Sequence, residues 1–219
     1  MILFRWLSVF VCGGMCVLSV LAFGREYALA IHPVGQSVNV TSEIQYFHQG
    51  APPFSVRGLN GLLKRCADLM LGDEAVRLSP ALQRDVAAGC SAMAAAVLHR
   101  NPDFARAHAV GLLATGGAMT PQAYRLAQMA APYEPWPLTI RLFAAERATK
   151  TDKSLLLVPL VTADVERLLE TDWGRRLLAK LYQRDLGLRP LIGQIAATRP
   201  SAEQSSFLNH VKQVSGTNG

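Results

Sequence analysis

Residues that build reactive centres are scarce and scattered in this chain. Its five histidines, His32, His48, His99, His108 and His210, never fall at the i,i+4 or short-loop spacing of a metal site. No cysteine cluster joins them. The chain has no G-x-S-x-G, no glycine-rich phosphate loop and no H-E-x-x-H. Gly116-Gly117 follows a predicted helix instead of leading from a strand, so it reads as a helix stop. No catalytic, cofactor or metal site is predicted, and the chain is not read as an enzyme.

Lysine is equally sparse, 5 residues against 17 arginines, and the charges stand mostly singly. The longest basic clusters, Lys64-Arg65 and Arg175-Arg176, are too small for a nucleic-acid footprint. A formal net charge of +6 instead favours anionic membrane surfaces or an acidic polymer. The arginine and alanine bias is typical of GC-rich bacterial coding.

Charge is missing altogether between Arg5 and Arg25, and that gap is informative. The 18 residues Trp6 to Phe23 make a helix of roughly 27 Å at the α-helical rise, close to a bilayer's hydrocarbon thickness. Signal-peptide apolar cores are shorter, about 7–15 residues. Length thus favours a membrane anchor over residues 1–24. Small residues at Ala22-Phe23-Gly24 and Ala28-Leu29-Ala30 keep a cleaved signal as the alternative. Neither Cys12 nor Cys16 has the residues expected before a lipidated cysteine. Arg5 on the N-terminal side, against Arg25 offset by Glu26, places the bulk of the chain outside the cytoplasm. The expectation is a single-pass protein of the bacterial inner membrane with its C-terminal domain in the periplasm. Cys66 and Cys90 are then an even pair in an oxidising compartment, either a disulfide or two buried thiols.

Residues 25–57 carry Pro33, Gly35, Gly50, Pro52 and Pro53 and read as an extended linker holding at most a short strand or helical turn. From 58 to 219 the periodicity is helical. Leu59, Leu62, Leu63, Cys66, Leu69 and Met70 mark one buried face. Ser79-Pro80 and Thr120-Pro121 are helix starts, an N-cap followed by a first-turn proline. Further helices fit 103–114, a stretch from after Pro135-Trp136-Pro137 to 149, 159–170, 173–185, 189–198 and 201–214, the last opening on a Ser201/Gln204 capping box. The predicted class is all-α. Short alanine-rich helices on short loops point to an α-solenoid, with an irregular helical bundle as the alternative.

The stretch Phe104 to Trp136 resembles a tetratricopeptide repeat. Ala107, Val110, Gly111 and Ala114 match its first helix, and Ala123, Ala127, Ala130 and Pro135 its second and the closing proline. Alanines at 107, 114 and 127 depart from the family's bulky positions. The likeness is partial over about 70 residues. It stops where Arg141 lands on a core position and Pro159 enters the next expected helix. The resemblance implies close helix pairing at Gly111, Ala123, Ala127 and Ala130, with Trp136 in its Pro-Trp-Pro frame as a packing anchor. An anchored repeat domain is also similar to accessory proteins of bacterial envelope polysaccharide systems.

Two carboxylate pairs, Asp73-Glu74 and Asp164/Glu166, are expected to be solvated, not a glycosidase pair. Tyr124, Tyr133 and Trp136 either pack helix pairs or line a binding face. Arg175, Arg176 and Arg184 are the candidate contacts for an acidic glycan. The function these features predict is a membrane-anchored periplasmic scaffold binding a partner protein of the cell envelope, in polysaccharide assembly or export. An enzyme or binding protein acting on an acidic glycan is the alternative.

Overall fold

A computed structural model describes residues 13–21, 40–49, 52–116, 119–149, 158–183 and 187–216. Among them every regular element is an α-helix and none is a strand. Helix α1 covers 13–21. It is followed by α2 (Val40–His48), α3 (Val56–Leu71), α4 (Asp73–Arg77), α5 (Pro80–Arg100) and α6 (Ala105–Ala114). Then come α7 (Pro121–Ala130), α8 (Pro135–Thr149), α9 (Val158–Leu169), α10 (Asp172–Gln183), α11 (Arg189–Ala197) and α12 (Ser201–Gly216). The chain forms two compact units, Met1–Arg100 and Asn101–Gly219. The boundary therefore falls inside the single domain expected from 58 to 219. Asn101-Pro102, read from sequence only as a helix stop, marks it.

In the first unit α3 and α5 pack together and α2 lies on α5. Ser55 starts α3 by accepting from the Gly58 amide at 2.9 Å, and Ser79 accepts from Leu82 at the start of α5. The expected extended linker is corrected over Val40–His48: this segment is a helix that buries Ile44 and Phe47. It docks because Gly89 of α5 leaves room; a Cβ there would sit 3.0 Å from the Phe47 Cβ. Arg65 of α3 locks the arrangement, reaching Glu43 of α2 at 2.9 Å and Glu74 of α4 at 2.9 Å. The next residue, Cys66, is disulfide-bonded to Cys90 of α5, with Cα atoms 5.7 Å apart.

Within the second unit α6 packs on both α7 and α8, and α9 touches α7, α8, α10 and α11. α8 is the central helix, burying Leu138, Ile140, Leu142, Ala144, Ala145 and Ala148 around most of its circumference. Pro135 and Pro137 sit in its first turn, where the missing N–H groups cost nothing. α12 lies on α10, with Phe207 edge-on to Tyr182 at 5.8 Å. The expected Ser201/Gln204 capping box is corrected here. The Gln204 amide donates backwards to the Ala197 and Arg199 carbonyls, so it caps the end of α11 and not the start of its own helix.

Among the described residues no helix is long and apolar enough to cross a membrane. The Trp6–Gly24 run lies largely outside them. Its described part, α1, exposes Met15, Val17, Leu18, Val20 and Leu21.

Candidate functional site

Unit two is organised around a charge pair that the sequence reading placed elsewhere. Arg141 and Asp164 are both 0 % exposed. The expectation of a solvated Asp164 on a polar face is thereby overturned. Val161, Asp164, Val165 and Leu168 occupy one face of α9, and that face is buried. Arg141 meets the carboxylate with two prongs, Nε to Oδ2 at 2.8 Å and Nη2 to Oδ1 at 3.1 Å. Its Nη1 donates to the Ala127 and Ala131 carbonyls at 3.2 and 2.8 Å, serving the C-terminal end of α7.

Asp164 accepts three further bonds. The Tyr124 hydroxyl donates at 2.8 Å, Gln128 Nε2 at 2.8 Å and Arg167 Nη1 at 3.2 Å. Gln128 also reaches the Leu160 carbonyl at 3.2 Å. Burial first, and then the charge of Asp164, push the Tyr124 hydroxyl well above its ordinary pKa. No buried side-chain nitrogen or oxygen among the described residues lacks a partner. A satisfied buried network of this kind fixes register and orientation, because each of its buried side-chain nitrogens and oxygens already has a partner. α7, α8 and α9 are thus locked to one another.

The lock controls what α7 presents outward. With Tyr124 and Ala127 turned in, Leu126, Met129 and Tyr133 face solvent at 46, 70 and 71 % exposure. Leu126 and Met129, three residues apart, share one face of α7, and Tyr133 stands in the turn between α7 and α8. Arg125 is exposed beside them. Arg167 bridges the two layers: its guanidinium stacks 5.4 Å from the Tyr133 ring while it bonds to buried Asp164. Tyr133 is thereby positioned by the core.

The residues singled out for repeat packing fall in different environments. Ala127 is fully buried, Gly111, Ala123 and Ala130 are half-buried, and Pro135 is exposed at the first position of α8. Trp136 is half-buried on α8, with the Arg106 guanidinium of α6 5.0 Å from its ring centroid. Tyr124, Tyr133 and Trp136 do not form one cluster: the first is core, the second surface, the third the edge of α8.

The arginines proposed for an acidic glycan are largely engaged within the fold. Arg175 is half-buried and donates to Ser206 and to the Leu169 carbonyl at 3.0 and 2.6 Å. Arg176 pairs with Asp172. Arg184 lies outside the described residues. Asp172 also accepts from His210 at 3.0 Å, and that bond, followed by Arg176, holds its carboxyl below the usual value. Asp73 and Glu74 form the first turn of the five-residue α4. Among the described residues no three His, Cys, Asp or Glu side chains converge as a metal site.

The exposed stripe on α7 had a sequence signal. Leu126 and Met129 are apolar on the face of α7 opposite Tyr124 and Ala127, and the aromatic Tyr133 follows the helix. The helix therefore has two apolar faces where one core needs only one. Compared with protein families, curated proteins and solved structures, the chain matches none.

Proposed function

We propose that this chain is a membrane-anchored scaffold of the bacterial envelope, and that the α7 stripe is where it docks a partner protein. The observation that carries the reading is a set of exposed apolar side chains on and just after a helix braced by the core. Leu126, Met129 and Tyr133 are among the exposed large apolar side chains; the first two share a face of α7, the third follows in the turn after it, and the buried ion pair braces the end of that helix through Arg141. Clustered exposed apolar residues rimmed by charge mark protein-binding surfaces. Arg125 and Arg167 at the rim suit a partner segment that carries apolar anchors flanked by carboxylates. Short helix pairs such as α6 with α7 suit a tetratricopeptide-like domain, a repeat class that serves protein binding.

The anchor reading rests on the uncharged Trp6–Phe23 run and on α1, whose large apolar side chains are exposed. A periplasmic domain follows from the flanking charges and suits the Cys66–Cys90 disulfide. Envelope polysaccharide assembly or export is the context we favour. The scaffold reading stands ahead of glycan binding because Arg175 and Arg176 are occupied by Ser206, Leu169 and Asp172.

Site-specific photocrosslinking in cells tests this. A photoreactive residue at Met129 is expected to capture a defined envelope protein, whereas one at the still more exposed Val76 captures none. Met129→Asp is expected to abolish co-purification of that protein without lowering the amount of folded chain. Equal capture from both positions, or unchanged co-purification with Met129→Asp, sinks the docking face. For the anchor, an intact N-terminus in carbonate-washed membranes is expected; a mature soluble chain beginning at Arg25 would overturn it.

A further inference from the structure

The disulfide of the first unit is closed to the outside. Cys66 and Cys90 are each 0 % exposed. α2 lies across α5 at Gly89, the neighbour of Cys90, so tightly that a Cβ there would meet the Ile44 carbonyl at 3.4 Å. Arg65, the neighbour of Cys66, is tied to α2 through Glu43 and to α4 through Glu74. Thiol–disulfide exchange requires an attacking thiolate to reach a sulfur of the bond. The folded unit leaves no such approach. An outside disulfide has no route to these sulfurs once the helices are in place, and neither does an outside reductant.

We propose that this chain is a folding-time substrate of a disulfide-donating thiol oxidase, and that helix packing then seals the product bond. In the open chain one cysteine thiolate attacks the oxidase disulfide, forming a mixed disulfide and expelling the oxidase's second sulfur as a thiolate. The other cysteine thiolate attacks the chain sulfur of that mixed disulfide. The Cys66–Cys90 bond forms and the oxidase leaves as its dithiol. Two electrons pass from the two cysteines to the oxidase, and the two protons the cysteines lose are balanced by those its thiolates take up. Docking of α2 and the Arg65 ion pairs follows and encloses the bond. The bond is therefore a permanent structural staple, not a reversible switch. This inference rests on the envelope placement proposed above and is independent of the α7 docking face.

Counting thiols with a mass-tagging maleimide on the full-length chain tests it in bacteria with and without their envelope thiol oxidase. From oxidase-competent cells, denaturation followed by reduction is expected to add two tags over denaturation alone. Reduction of the native protein with dithiothreitol, then reductant removal and tagging after denaturation, is expected to add none. In oxidase-deficient cells the two extra tags are expected without any reduction. Tags gained by reducing the native protein would overturn the sealed bond. Full oxidation in oxidase-deficient cells would overturn the donor. If both strains yield the two tags without reduction, the folded chain sits in a reducing compartment and the envelope placement fails too, while Met129 crosslinking still reports separately on docking.

Discussion

Arg141 is the residue on which the second unit turns, because its guanidinium serves two helices besides its own. It pairs with Asp164 of α9 and supplies donors to the Ala127 and Ala131 carbonyls at the end of α7. Arg141→Met takes the two-pronged partner from a buried carboxylate and leaves two carbonyls without their donor, and is expected to cost about 3–5 kcal/mol in urea unfolding. Pairing it with Asp164→Leu removes the stranded charge as well, and most of that loss is expected to return. If the double variant is no more stable than Arg141→Met, the pair is not what makes the single change costly. Tyr124 adds a pH dependence. Its folded pKa is raised by burial and by Asp164, so its contribution is full below its unfolded value and is lost as pH rises through the folded one. Alkaline unfolding beginning near pH 10 is therefore expected, and Tyr124→Phe should flatten it. Both charges were legible in the sequence, though not as a pair. Arg141 stood on a core position of α8 and Asp164 between Val161, Val165 and Leu168. Reading each alone gave a broken repeat and a solvated acid. Opposite charges on two apolar stripes are the signal of a buried bridge, and only their pairing makes either position reasonable.

At the scale of elements, helix ends were legible wherever a cap or proline sets them. α5 and α7 begin at Pro80 and Pro121 as expected, whereas α8 begins at Pro135 and takes in the Pro-Trp-Pro segment expected to precede it. Missed were the elements whose stability is tertiary. α2 is nine residues between proline- and glycine-rich segments, too short to hold alone, and it exists because Phe47 seats against Gly89. Gly89→Ala tests that account. Alanine gains up to about 1 kcal/mol of helix propensity, but its Cβ would press on the Phe47 Cβ, which cannot move without moving α2. Overpacking of this kind costs about 1–3 kcal/mol, so a net destabilisation of about 1 kcal/mol is expected, with faster amide exchange in α2. A net gain would mean α2 is not seated there. Asp172 joins α10 to α12 through His210. Its folded pKa is depressed, so the contribution is present above the unfolded carboxyl value and lost as pH falls through the folded one. Asp172→Asn should therefore weaken the protein at neutral pH and narrow its difference from the wild type in acid, as read from urea midpoints.

For the whole molecule, apolar periodicity announced helices, and helices are what the described residues show, but the division at Arg100 followed from contacts and not from any linker. No run of glycine or serine marks the boundary, and Asn101-Pro102 looks like any other interhelical turn. Each unit instead has its own staple, and the two differ in chemistry: a disulfide from α3 to α5 in the first, a buried ion pair from α8 to α9 in the second. The first unit needs its staple more, because two of its helices, α2 and α4, have only nine and five residues and bury little. Its disulfide joins residues 24 apart, and closing a loop of that size removes about 3.5 kcal/mol of unfolded-chain entropy. Cys66→Ser with Cys90→Ser is accordingly expected to lower stability by about 3 kcal/mol, with the loss of amide protection read in α2, α3 and α5. Protection unchanged in those helices would show that their apolar faces and the Arg65 ion pairs already hold the unit, leaving the covalent bond redundant.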